Sequence, residues 1–342
     1  MVSMKDIAKA CGVSVATVSK ALSGQPDIGE QTRELICKTA DALGYMTNSA
    51  ARALKTNRTY NIGVLFVDGR RSGLAHEYFS SMLESLKVEA ERNGYDITFI
   101  NRNVGAKATT YLQHCQYRGV DGVVIASVDF DDPQVLELVN SKLPVVTIDH
   151  VFNNRAAVVS DNVRGMEELV RYVYSKGHRR IAFFHPNWIQ GYYHDLDAAY
   201  DFLRSQGIYA PELICNCPIE YSVLRKELKR LMALGNPPTA AMCTSDFFAM
   251  SVMKIANDLK IQMPERLSVM GYCGYPGGRF LTPPLSTVDL HYDAIGRKVV
   301  EVLARADRWF GRKNVAVPEI IMPHDVVMRE STMVKRVEPL FV

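Results

Sequence analysis

The chain has 342 residues, is 47% hydrophobic, and carries 40 Lys and Arg against 37 Asp and Glu. This is the composition of a soluble globular protein of two or three compact units, and its longest apolar runs, such as VVIASV and RIAFF, fall far short of the ~20 residues of a membrane helix. The net charge of +3 sits in the first sixth of the chain, where residues 1 to 58 hold eight basic and five acidic side chains and leave 32 of each for the rest. A basic end on a neutral body predicts a polyanion partner for that end.

The opening MVSMKDIAKACG has no continuous apolar stretch and does not read as a secretion signal, so a cytoplasmic location is expected. MKDIAKAC places Met4, Ile7, Ala8 and Cys11 on one helical face. Gly12 stops that helix, and Ser14 can cap the next by accepting from its unpaired amides. A third helix is predicted from Glu30 to Gly44, with Ile36, Ala40 and Leu43 on its inner face.

Ala8, Gly12 and Val18 are the small, turning and β-branched residues that a helix-turn-helix needs where its two helices cross. A plain helical hairpin is the structural alternative; the local positive charge favours DNA. With Val18 and Leu22 inward, Val15, Ala16, Thr17, Ser19 and Lys20 form the outer side. Val15 and Ala16 are short enough for close approach and can meet a thymine methyl, while Lys20 can reach a guanine edge or a phosphate. Ser14 lies at the start of the same face, and Thr17 and Ser19 suit phosphate contacts that fix register without reading sequence.

NSAARALKTNR, residues 48 to 58, is a short helix candidate capped by Asn48 or Ser49, with Arg52, Leu54 and Lys55. Such a peptide is too short to be helical alone in water. It reads either as an ordinary linker or as a segment that folds on DNA with its dimer mate, Leu54 wedged between base steps of the minor groove.

From residue 62 the pattern changes. Apolar runs (IGVLFV, YDITFI, DGVVIAS, PVVTIDH, VVSD) alternate with helical stretches near 75 to 93, 107 to 118 and 132 to 141. The rhythm continues through helices near 162 to 176, 194 to 206, 222 to 234 and 247 to 259, with RIAFFHP, ELICNCP, AAMCTSD and LSVMGYCG between them. A long helix near 292 to 310 and two short strands, around IIM and HDVVMR, close the chain. Strands without clean alternation, separated by helices, indicate parallel sheets covered on both faces. The expected fold is an all-α helix-turn-helix domain (1–46), a hinge helix and linker (47–60), and an α/β core of two doubly wound lobes (61–342). Ligands of such sheets bind beyond the carboxyl ends of the strands, here in the cleft between the lobes.

The seven cysteines (11, 37, 115, 215, 217, 243, 273) lack CxxC pairing, and are expected to be buried thiols with no metal or cofactor. No nucleophile elbow, phosphate loop or HExxH is present, so no enzyme activity is expected. GYCGYPGG lacks GxGxxG and reads as a mobile loop beside the cleft; His76, His185 and His194 are scattered.

Taken in order, MKDIAKACGVSVATVSKALSG, LGY, NSAARALK, IGVLFV, VDGVVIAS, SDNVRGMEELV, KGHRRIAFF, LSVMGY, TPPLSTVD and VVMREST resemble the LacI/GalR family of bacterial transcription regulators over nearly the whole chain. The resemblance implies a homodimer, or a dimer of dimers, on a near-palindromic operator. It also implies a periplasmic-binding-protein-like core of type I that holds a small effector. Val15, Ala16 and Lys20 fall on the family's base-reading positions and Leu54 on its intercalating leucine, flanked by Arg52 and Lys55; Thr47 replaces a common proline.

For the effector, the resemblance puts Tyr78, Phe79, Asp149, Asp161 and Asp246 at the pocket. The family's ligand-gripping arginine aligns with Asp195, and an aspartate common in the family aligns with Cys273. A pocket without that arginine disfavours anions. Trp188, Tyr192, Tyr193 and Tyr221 offer flat faces for stacking, although any of them could simply pack the lobe. A neutral sugar or oligosaccharide is the expected effector, with a cationic or nucleoside-like corepressor as the alternative. A transport-type solute-binding protein would share this core but needs export and no helix-turn-helix.

Overall fold

The computed structural model describes residues 2–45, 58–67, 77–186, 194–313 and 315–333, without the side chains of residues 77, 78, 194 and 195. Contacts divide the chain into two compact units, Met1–Tyr60 and Asn61–Val342.

The first unit has three described helices: α1 (Met4–Cys11), α2 (Val15–Leu22) and α3 (Glu30–Ala42). Asp6 accepts from both the backbone N–H and the hydroxyl of Ser3, at 2.8 and 2.7 Å, which fixes the start of α1. Gly12 ends it in the left-handed region (φ 65°), a conformation costly for side chains with a Cβ. The helices meet on Ile7, Ala8, Val18, Ala21, Ile36 and Ala40, all buried. Leu22 and Ile28 pack at the margin. Leu43 departs from expectation: the helix ends one residue before it, Leu43 is 41% exposed, and Tyr45 packs on the core beyond the turn at Gly44.

The second unit holds two parallel sheets. The first is ordered β13-β7-β6-β5-β1-β2, comprising β1 (Asn61–Phe66), β2 (Asp96–Phe99), β5 (Gly122–Ala126), β6 (Val145–Ile148), β7 (Ala156–Ser160) and β13 (Glu319–Met322). The second is ordered β11-β10-β8-β9, with β8 (Ile181–His185), β9 (Ile214–Asn216), β10 (Ala240–Cys243) and β11 (Ser268–Met270). Every pairing within both sheets is parallel.

Helices α4 (Glu77–Arg92), α5 (Tyr111–Arg118) and α6 (Pro133–Val139) belong to the first lobe; α7 (Asn162–Ser175), α8 (His194–Ser205), α9 (Tyr221–Met232) and α10 (Asp246–Asp258) belong to the second. The helix expected from 107 begins at Tyr111, because residues 103–108 form a small antiparallel hairpin, β3 (Asn103–Val104) with β4 (Lys107–Ala108), and Thr110 caps α5.

The C-terminal elements do not extend the second lobe. Helix α11 (Tyr292–Ala304) returns to the first, packing on α4 so closely that a Cβ on Gly296 would lie 2.0 Å from Ser85 Oγ. It is shorter than expected, giving way to a 3₁₀ turn at Ala306–Arg308. Strand β13 then joins β7, and β12 (Thr287–Asp289) pairs antiparallel with β14 (Asp325–Val327). The chain therefore passes between the lobes three times, after β7, after β12 and after β13. One core cluster includes residues of both lobes, among them Val64, Phe79, Phe183 and Ile295. Cys215, Cys217 and Cys243 are buried thiols of a second cluster in the second lobe.

Candidate functional site

On the first unit, the exposed side of α2 carries Val15, Ala16 and Lys20, while Thr17 and Ser19 are half-buried. Ser14 Oγ accepts from the Thr17 amide at 3.0 Å and meets Thr17 Oγ1 at 2.8 Å. One hydroxyl hydrogen of that pair is consumed in the contact, so the two side chains together offer a phosphate a single O–H. The N-terminal amides of α2 lie beside them and point toward any anion placed there. Lys20 Nζ meets Asp27 Oδ2 at 2.5 Å across the turn between α2 and α3, with both side chains half exposed. That ion pair holds the Asp27 carboxyl below the usual carboxylate range, chiefly through the hydrogen bond from Lys20. Asn48, Arg52, Leu54 and Lys55 lie outside the described residues.

On the second unit, polar side chains follow the carboxyl ends of several strands. Asp149 follows β6 with φ 54°, and its Oδ1 accepts from the Ser160 amide at 2.7 Å, tying β6 to β7. Asp161, half-buried, follows β7 and caps α7. Ser127 follows β5 with φ 51°, and Cys273 follows β11 with φ 110°. Left-handed backbone at non-glycine residues is costly and concentrates at working sites. Burial pushes the Cys273 thiol up to about 12, and Asp246 and Asp149 act in the same direction, which places these three groups in one electrostatic neighbourhood. Cys273 at such a value is a neutral hydrogen-bonding group rather than a nucleophile.

Asp246 differs from expectation. Only 2% exposed, it accepts from Thr287 Oγ1 at 2.6 Å and from the Tyr275 amide at 2.5 Å, while its own amide donates to Tyr272 O. A Cβ on Gly271 would lie 1.9 Å from its Oδ1. Burial pushes this carboxyl up to about 7, against the opposing hydrogen bonds and Arg329. Asp246 is therefore a positioning residue that pins the segment after β11, not a wall of the cleft. GYCGYPGG, expected as a loop beside the cleft, is tied to α10 through the Tyr275 amide and runs into a 3₁₀ turn at Pro276–Phe280.

Two further candidates move away. Phe79 is fully buried and stacked on Phe66 with ring centroids 3.5 Å apart, so it packs the lobe and presents no face to a ligand. Tyr221 donates to Asp258 Oδ2 at 2.7 Å. Asp258 ends α10 and Asp246 begins it, a 13-residue helix of about 18 Å, so Tyr221 belongs to the helical layer rather than to the strand-end cluster. Tyr78 and Asp195 by their side chains, and Trp188 and Tyr192 entirely, lie outside the described residues. Sequence reading missed Ser127 and Thr287, whose roles depend on backbone twist and a contact spanning 41 positions. It also missed the stack of His150 on Phe130 at 4.0 Å beside Asp149; two aromatics after consecutive strands were the available signal.

Residues 3–48 match the bacterial regulatory proteins of the lacI family, and residues 170–332 match the periplasmic binding protein-like domain. The chain carries the DNA-binding domain of the lacI family of bacterial regulatory proteins joined to a periplasmic binding protein-like core. It is 28% identical over 300 residues to the probable HTH-type transcriptional repressor ExuR of Bacillus subtilis (strain 168), covering 84% of this chain and 86% of that protein. Its fold resembles the Lac repressor dimer bound to operator and the anti-inducer ONPF (TM-score 0.77, 20% identity, 97% of this chain and 99% of that one). It also resembles a complex of the transcriptional regulator CelR with cellobiose (TM-score 0.64, 21% identity, 97% and 100%). With these two domains the chain is a DNA-binding transcriptional regulator with an effector-binding core, and the transport-type alternative is not favoured. Among the described residues no helix is long and apolar enough to cross a membrane.

Proposed function

We propose that this regulator is a homodimeric, cytoplasmic, non-enzymatic repressor whose grip on a near-palindromic operator is set by a neutral sugar or oligosaccharide between its lobes. Val15, Ala16 and Lys20 read bases, and Ser14, Thr17, Ser19 and the α2 amides hold phosphates. Residues 1–46 serve as the DNA-binding domain and 47–60 as a hinge, in which Asn48, Arg52, Leu54 and Lys55 meet the minor groove.

The observation that carries the effector class is the charge of the strand-end cluster. Asp149 and Asp161 follow strand ends, Cys273 near Asp149 is uncharged, and Asp195 stands where the family resemblance puts the gripping arginine. Carboxylates accept from sugar hydroxyls and repel phosphates or organic acids. Cellobiose, the ligand of the CelR relative, is a neutral sugar of this class. Calorimetric titration with neutral sugars and with sugar phosphates tests the reading: heat is expected from a neutral sugar, and heat from phosphates alone would overturn it.

A further inference from the structure

We propose that the first lobe carries a second small-ligand site, for a compact organic anion bearing a flat ring, in the cavity between Arg155, Lys142 and the Trp309–Phe310 segment. The cavity, an open groove of about 440 Å³, lies at the N-terminal edge of the sheet, beside the starts of β6, β7 and β13. That is a small-molecule volume. None of its lining residues is acidic, and two are cations.

Arg155 is the unusual member. Arg164, Arg171, Arg180, Arg204 and Arg230 each meet a carboxylate at 2.6 to 2.8 Å. Arg155, half-buried, meets none among the described residues; its guanidinium donates only to main-chain oxygens, of Val139 at 2.5 Å, Asn154 at 2.8 Å and Ser141 at 3.0 Å. Burial pushes it below the ordinary arginine value, with no neighbouring charge to offset the cost. A half-buried cation without a counter-charge has lost part of its hydration, which an anion would offset. Three carbonyls fix its plane, and two of its five N–H groups remain unspent.

The rest of the wall suits a ring. The Arg155 guanidinium carbon lies 5.6 Å from the Phe310 centroid, leaving cation and ring side by side. Trp309 is 5% exposed and spends its N–H on Val302 O at 3.1 Å, so its indole is a fixed apolar wall. Lys142 is exposed at the rim with no ion pair among the described residues.

Phenyl phosphate, inorganic phosphate and benzyl alcohol, titrated calorimetrically into the full chain, separate charge from ring. Phenyl phosphate is expected to bind about fivefold or more tighter than inorganic phosphate, and benzyl alcohol to give no heat. Lys142→Ala, at an exposed position, should weaken phenyl phosphate about fivefold without changing the Tm of the unliganded protein or its neutral-sugar binding. Phe310→Leu should erase the advantage of the ring. Absence of phenyl phosphate binding up to millimolar concentration overturns the site. So does binding that neither substitution changes, which would put the anion elsewhere and leave Arg155 a structural clamp. A neutral sugar that displaces phenyl phosphate would likewise place both ligands in the cleft and overturn it.

Discussion

Lys20 holds Asp27 at 2.5 Å, so a base or phosphate must compete with that carboxylate for the same ammonium. The Asp27 charge also stands beside the surface that meets the polyanion, where it repels phosphate. Asp27→Asn is expected to raise operator affinity about three- to tenfold at low salt, with the gain shrinking as salt screens it. Lys20→Ala should lower affinity roughly ten- to a hundredfold on the preferred operator alone if Lys20 reads a base, and evenly on all DNA if it meets phosphate. Fluorescence anisotropy across a salt series with cognate and scrambled duplexes measures both, and two unchanged variants would show Lys20 to be idle. The outward face of VSVATVSKAL was legible because helical period is a local property, and Val18 is indeed fully buried while Val15 and Ala16 are exposed. The Lys20–Asp27 pair was not, because it depends on how the turn after α2 folds back.

At the scale of elements, α10 is joined to the segment after β11 through one buried carboxylate, Asp246, whose neighbours include Thr287, Tyr275, Cys273 and Arg329. Its value near 7 lies above that of an unfolded aspartate, so the folded state holds a proton that the unfolded state has released. The stability this confers is complete below about pH 4 and is lost as pH rises through about 7, by about 4 kcal/mol. Asp246→Asn removes the titration. The difference in Tm, variant minus parent, should therefore climb between pH 4 and 8, and parallel curves would rule out the buried proton. Sequence placed Asp246 correctly at a helix start after a strand, since that alternation is legible in AAMCTSD. Its burial under Gly271 and Thr287 was not, because those residues reach it from other strands. Phe79 and Tyr221 fail for a related reason: an aromatic near a predicted cleft carries no local mark of which way it faces, and packing on Phe66 or a bond to Asp258 decides it.

At the scale of the molecule, the alternation of strands and helices foretold two parallel sheets, but not that α11 and β13 return to the first lobe, because that pairing joins positions about 160 apart, Glu319 with Ala157. These returns give the second unit a core that includes residues of both lobes, all lying beyond residue 61. The first unit's core, from Ile7 to Ala40, is equally self-contained. Deleting residues 1–60 leaves every described core residue of the second unit in place. The remaining chain is expected to bind the neutral sugar with its Kd changed less than about twofold and to lose operator binding altogether. In the full chain, linkage requires operator DNA to change sugar affinity by the same factor as the sugar changes operator affinity. The truncated chain must show no response to operator. Sugar titrations of both chains, with and without duplex, therefore form a closed cycle. A truncated chain of unchanged Tm that binds sugar more than about tenfold weaker would mean that the effector site draws on the first unit, contrary to the separation of the two cores.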